Sequence, residues 1–123
     1  MTVKDVYKRG ISHLPEVESD NADLQKYIVD WVNEMLIETF HVENTIREVN
    51  EEPLLEQPQV VSSLNDELEY HYSLVGVAFP YGIAAHAFID DDNDYRSNKF
   101  GQYYVLRVNE AMKYIPKKIV DVY

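Results

Sequence analysis

The chain has no cysteine, which excludes disulfides, thiolate nucleophiles and cysteine-based zinc sites and suits a reducing compartment. It has no apolar run of the roughly 18 residues a membrane span requires, so no span is expected. Met1-Thr2-Val3-Lys4-Asp5 is not a basic region followed by a long apolar stretch, and no secretory leader is expected. Glycine is scarce: Gly10, Gly76, Gly82 and Gly101 are scattered, so no glycine-rich phosphate loop exists. Basic residues are outnumbered, 11 against 22 acidic, for a formal net charge of -11. Such a surface repels phosphate backbones, and sequence-specific nucleic-acid binding is not expected. Lys113, Lys117 and Lys118 form the one local positive cluster, near a helix C-terminus where they complement the dipole. There is no internal repeat and no low-complexity tract.

What is present is material for one domain spanning 1–123. The 123 residues are 46% hydrophobic, enough for a real core. Ten tyrosines suit half-wet packing and protein contact, because each pairs an apolar ring with a polar tip. The acidic surface has three readings: simple solubility, mimicry of DNA, or a wall along which DNA slides without sticking.

Hydrophobic periodicity predicts helices. Thr2-Val3-Lys4-Asp5 has the form of a capping box with Asp in place of Glu. Val3, Val6 and Tyr7 then share a face, with Gly10 as the expected stop. Pro15 lies in a connector. From Asp23 the positions Leu24, Ile28, Trp31, Val32, Met35, Leu36 and Phe40 step by three and four, predicting one long amphipathic helix that continues towards Ile46 or Val49. Pro53 and Pro58 make 53–68 an irregular loop, with Val60-Val61 as a short extended piece. Leu68 to Ile89 is apolar on most sides, which predicts a central buried helix, kinked near Pro80 and Gly82. Its small residues Gly76, Gly82, Ala84, Ala85 and Ala87 allow close approach by a neighbour. A last helix is expected from about Tyr95 to Tyr114. After Pro116 the β-branched segment 117–123 reads as an extended arm for another copy or a partner, or as a frayed terminus. The expected fold class is all-α, a compact bundle of about four helices (one short and N-terminal, three long) with the 53–68 loop and a C-terminal arm. Ile119, Val120, Asp121, Val122 and Tyr123 are the candidate partner-binding residues.

Chemistry-bearing constellations are few. Glu38-Thr39-Phe40-His41 is a Glu-x-x-His step of the kind that di-iron bundles use in pairs. No second step occurs, so the reading is an ordinary surface pair and no metal site. Asp90-Asp91-Asp92-Asn93-Asp94 fails as a calcium loop, because counting from Asp90 the sixth and twelfth positions hold Tyr95 and Gly101 rather than Gly and Glu. Its expected role is to cap the last helix. His86 lies on an apolar stripe and is expected to be a hydrogen-bonded core histidine. No nucleophile with a base and an orienting acid assembles from His13, His71 or the serines, so no enzyme, catalytic residue or cofactor is expected.

Three stretches together carry a likeness: Thr2-Val3-Lys4-Asp5-Val6-Tyr7; Asp66-Glu67-Leu68-Glu69-Tyr70-His71-Tyr72-Ser73-Leu74-Val75 with Ala78-Phe79-Pro80-Tyr81-Gly82-Ile83-Ala84; and Ile119-Val120-Asp121-Val122-Tyr123. In this order they resemble the small head–tail connector, or neck adaptor, proteins of tailed phages and prophages of Gram-positive bacteria. The family's usual form has Pro where this chain has Glu69 and Leu where it has Phe79. The resemblance implies an all-α protomer, assembled in the bacterial cytoplasm into the virion neck as a homo-oligomeric ring. It would bind the portal protein on one side and a stopper or tail protein on the other. Many adaptors assemble only on their partner, so an isolated monomer is compatible with it. The alternative is an acidic DNA mimic or another protein-binding regulator.

Overall fold

The structure is a computed structural model that describes residues 1–13, 22–90 and 93–113. Helix α1 (Val3–Ile11) begins with the expected capping box. Thr2 Oγ1 accepts from the Asp5 amide (3.2 Å) and Asp5 Oδ2 accepts from the Thr2 amide (2.9 Å). These bonds to Thr2 hold the Asp5 carboxyl below its usual range. Val3, Val6, Tyr7, Gly10 and Ile11 are buried, the three-and-four spacing of an apolar face. Gly10 is not the stop. The helix runs through it to Ile11, and no described glycine has a positive φ. Gly10 is small for a tertiary reason: a Cβ there would sit 2.6 Å from Ile83 Cβ and 3.0 Å from the Pro80 carbonyl oxygen.

The single long helix expected from Asp23 is two helices, α2 (Ala22–Glu38) and α3 (Phe40–Val49). The break is at Thr39, whose backbone leaves the helical region (φ -103°, ψ 7°). Its buried hydroxyl donates to the Met35 carbonyl (2.7 Å). A threonine that bonds back to the carbonyl four residues earlier bends a helix. The bundle therefore has five α-helices among the described residues, one more than the periodicity indicated.

The central helix starts later than expected. Leu68 to His71 are not helical because their amides have partners elsewhere: Leu68 donates to the Met1 carbonyl, Glu69 to Gln59 Oε1 and His71 to Glu43 Oε1. A wide π-helical segment, Ser73–Ala78, then leads into α4 (Phe79–Asp90). Pro80 has no N–H for the Gly76 carbonyl four residues back. Arg9 Nη1 donates to that carbonyl instead (3.0 Å). The irregularity of this helix is thus a wide turn just before Pro80, with Pro80 and Gly82 in the first turns of α4. Apart from Ile89, the described side chains of α4 are buried or half-buried, and the helix packs on α1, α2 and α5. At Gly82 a Cβ would land on the Met35 sulfur of α2. Helix α5 (Asp94–Lys113) is capped by Asn93, whose Oδ1 accepts from the Arg96 amide (3.1 Å). Capping thus falls to the one amide of the acidic cluster.

The 53–68 loop contains no strand. Among the described residues the only β-pairing is an isolated bridge between Thr2 and Glu67. The loop is nevertheless fastened along its length. Asn33 pairs both ways with the backbone of Val61 (2.9 and 2.8 Å), and Asn44 does the same with Leu55 (2.9 and 2.8 Å). Gln59 bridges the Glu67 carbonyl and the Glu69 amide. The loop also supplies acceptors for the otherwise orphan amides at the start of α1, Asp66 to Val3 (3.0 Å) and Leu64 to Lys4 (2.8 Å). Val60-Val61, the expected short extended piece, joins no sheet; Val61 is held by Asn33 and buried, and Val60 is exposed.

Candidate functional site

Two features stand out above a conventional core. The first is a buried ionic cluster on α3. Glu43 is 0% exposed. Its Oε1 accepts from the His71 amide (2.8 Å) and its Oε2 from Arg47 Nε (2.5 Å), with His71 Nδ1 at 2.9 Å. His71 Nε2 lies 3.0 Å from Glu52 Oε1. Arg47 extends the cluster outward through Nη1 to the Pro53 carbonyl and Nη2 to the Glu69 carbonyl (both 3.1 Å). Burial alone lowers the His71 pKa; the Glu52 hydrogen bond and the charge of Glu43 outweigh it, and the pKa is raised above 6.5. Below the cluster, burial pushes the Tyr70 phenol up to about 12, and its hydroxyl donates to the Leu36 carbonyl (2.6 Å). In the sequence Glu43 belongs to no motif, and His71 stands out only as a histidine that assembles into no triad. A signal was there: the stripe Leu36, Phe40 continues by a three-residue step onto Glu43 and by four onto Arg47, so an acid falls where an apolar residue is due.

The second feature is an open groove of about 710 Å³ along the seam of α4 and α5. Every lining residue is uncharged: Ala85, Ile89, Ser97, Asn98, Gly101, Gln102, Val105, Leu106 and Asn109. It continues into a hollow of about 270 Å³ towards α2, where Met35, Glu38, His86 and Tyr104 join the lining. Ser97 Oγ donates to the Ala85 carbonyl (3.1 Å) and fixes the two helices across the floor. Val105 and Leu106 are 56% and 45% exposed. Gly101 leaves the floor open, since a Cβ there meets nothing within 4 Å. Gly101→Ala is therefore expected to stabilise α5 by about 0.5–1 kcal/mol, the usual penalty of a mid-helix glycine. Thermal unfolding followed by circular dichroism checks it.

The residues singled out in the sequence distribute as follows. Glu38 and His41 straddle the Thr39 break; Glu38 accepts from the Tyr104 hydroxyl (3.2 Å) and His41 is exposed. Burial, followed by the charge of Glu38, raises the Tyr104 pKa. His86 is half-exposed rather than a core residue. It stacks on Trp31 (5.3 Å) with Nε2 3.6 Å from Glu34 Oε2. His13 stacks on Tyr81 (5.1 Å), and burial lowers its pKa. Among the described residues no group of three or more His, Asp or Glu side chains has the arrangement of a metal site. No described helix is long and apolar enough to cross a membrane. Asp91, Asp92 and the candidate arm Ile119, Val120, Asp121, Val122 and Tyr123 lie outside the described residues.

Fold and surface define the class: an all-α bundle with one buried ionic cluster and an uncharged groove on one face. No known sequence family, no curated protein and no solved structure matches the chain.

Proposed function

We propose that this chain is a structural adaptor of a phage virion neck rather than an enzyme, joining a ring between portal and tail components. One observation carries the reading: a protein of net charge -11 keeps a continuous uncharged strip with exposed Val105 and Leu106. Charged residues are depleted from the centres of protein–protein contacts, so an uncharged strip with exposed aliphatic side chains suits such a contact. Head-to-tail contacts between such surfaces close into rings when the rotation permits. The order of the three family-like stretches in the sequence supplies the virion context. The acidic remainder suits a lumen through which DNA passes without being gripped.

The alternative, a DNA mimic, draws on Asp30, Glu34 and Glu38, exposed at four-residue intervals on α2. That row is short, and its last two members already face His86 and Tyr104.

Electron microscopy of tailed particles carrying a gold-labelled copy of the chain is expected to find the label at the neck. The double variant Val105→Glu, Leu106→Glu keeps its helical circular dichroism and loses the label. Label on the capsid, or none on particles of the unaltered chain, overturns the reading. Competition with DNA for a DNA-binding enzyme would favour the mimic.

A further inference from the structure

We propose that His71 is a pH-sensitive latch, whose protonated ring fastens the turn at 50–53 to α3 and whose deprotonation releases the Glu52 side of that turn. Geometry carries the argument. Both ring nitrogens face carboxylate oxygens, Nδ1 at 2.9 Å from Glu43 and Nε2 at 3.0 Å from Glu52. An ionised carboxylate only accepts, so both nitrogens must donate, and a ring that donates twice is an imidazolium.

The charged groups around the ring are few. From α3 come Glu43 and Arg47 and from the turn Glu52; the neighbouring Tyr70 is neutral, its hydroxyl donating to the Leu36 carbonyl. With His71 protonated, two cations meet two anions. Loss of the proton leaves one nitrogen lone pair against a carboxylate.

The two sides of the ring are unequal. Glu43 is fully enclosed and held by Arg47 and the His71 amide, whereas the Glu52 side chain is 41% exposed. The neutral ring therefore keeps its proton on Nδ1, and Glu52 turns to water. The turn it leaves is strained. Glu51 sits at φ 58°, a region that non-glycine residues seldom occupy. Other ties to α3 stay in place: the Asn50 amide to the Ile46 carbonyl (3.1 Å), the Glu51 amide to the Glu48 carbonyl (3.1 Å), the Glu52 amide to the Arg47 carbonyl (2.8 Å) and Arg47 Nη1 to the Pro53 carbonyl, so release is confined to the Glu52 side. Beyond the turn lies Leu54, 54% exposed, so release frees an apolar side chain next to the first amide clamp.

The raised His71 pKa fixes the direction. Stabilisation from protonation is complete below the unfolded value of 6.5 and is lost as pH rises through the higher folded value.

NMR of the imidazole nitrogens across roughly pH 5.5 to 8.5, where histidine titrates, combined with hydrogen exchange of the Glu52 amide, tests the latch. In the unaltered chain His71 is expected to titrate above 6.5. Protection of the Glu52 amide, corrected for intrinsic exchange, falls severalfold over the same range. Glu52→Gln, a change at the exposed partner, lowers the His71 pKa and removes the pH dependence of protection. His71→Gln removes it as well. A His71 that stays neutral across the range, or a Glu52 amide whose protection follows the same pH curve in Glu52→Gln as in the unaltered chain, overturns the proposal.

Discussion

Replacing Glu43 with alanine is expected to destabilise the fold by about 3–5 kcal/mol, the cost of removing one partner from a buried ion pair. The size follows from what is left behind. Arg47 Nε, the His71 amide and His71 Nδ1 all lose their acceptor together, and buried donors without acceptors carry a desolvation penalty that no new contact offsets. A domain of this kind has about 5–15 kcal/mol in hand, so the variant folds marginally. With a urea slope of about 1–3 kcal/mol per molar, the midpoint moves down by about 1 M or more. Glu43→Gln keeps one acceptor oxygen but presents an amide N–H₂ to groups that are themselves donors, and falls between the two. A Glu43→Ala midpoint close to that of the unaltered chain would mean the cluster is solvated rather than enclosed.

The position of this cluster explains why one substitution reaches far. Arg47 forks to Glu43, Pro53 and Glu69. A guanidinium is suited to such a junction because its donors are fixed in a planar fork. The cluster thus ties α3 to the turn at 50–53 and to the backbone just before the π segment. With the Asn33, Asn44 and Gln59 amide clamps it turns a proline-broken loop into part of the body.

How much of this was legible depends on the range of the interactions. The capping box at Thr2 and Asp5, the stripes of α1 and α2 and the span of α5 are local patterns, and the helices lie where their periods put them. Apolar residues on most sides of Phe79–Ile89 likewise marked the central helix. The break at Thr39 was not legible, because a single back-bonding hydroxyl interrupts a stripe whose spacing carries straight through it. The late start of the central helix was hidden for a different reason. The amides of Leu68, Glu69 and His71 are taken by Met1, Gln59 and Glu43, partners 10 to 67 residues away in the chain. The loop's amide clamps have the same character. For the groove, the sequence held a partial sign, since Asn98, Gln102, Val105 and Asn109 follow a helical line without charge. Nothing in the sequence says which face of α5 borders Ala85 and Ile89.

Gly10 had the most misleading local appearance, and its substitution carries the second large effect. A glycine after a short amphipathic stretch looks like a helix stop, and as a stop it would tolerate alanine poorly only if its φ were positive. Its φ is not positive, so alanine meets no backbone strain there. What it meets is α4, with Ile83 Cβ at 2.6 Å, Ile83 Cγ2 at 2.7 Å and the Pro80 carbonyl oxygen at 3.0 Å from the added carbon. None of these is the far end of a flexible side chain. Ile83→Ala brings no relief, because the nearest atom is the Cβ that alanine retains. The helices must separate, and Gly10→Ala is expected to destabilise by about 1–3 kcal/mol, as overpacking of a filled core does, despite alanine's better helix propensity. The comparison with Gly101→Ala is internal to the molecule: the same chemical change in two helices, with opposite signs. Urea unfolding of both variants beside the unaltered chain decides it. If Gly10→Ala matched or exceeded the unaltered chain in stability, the close approach of α1 to α4 would be wrong.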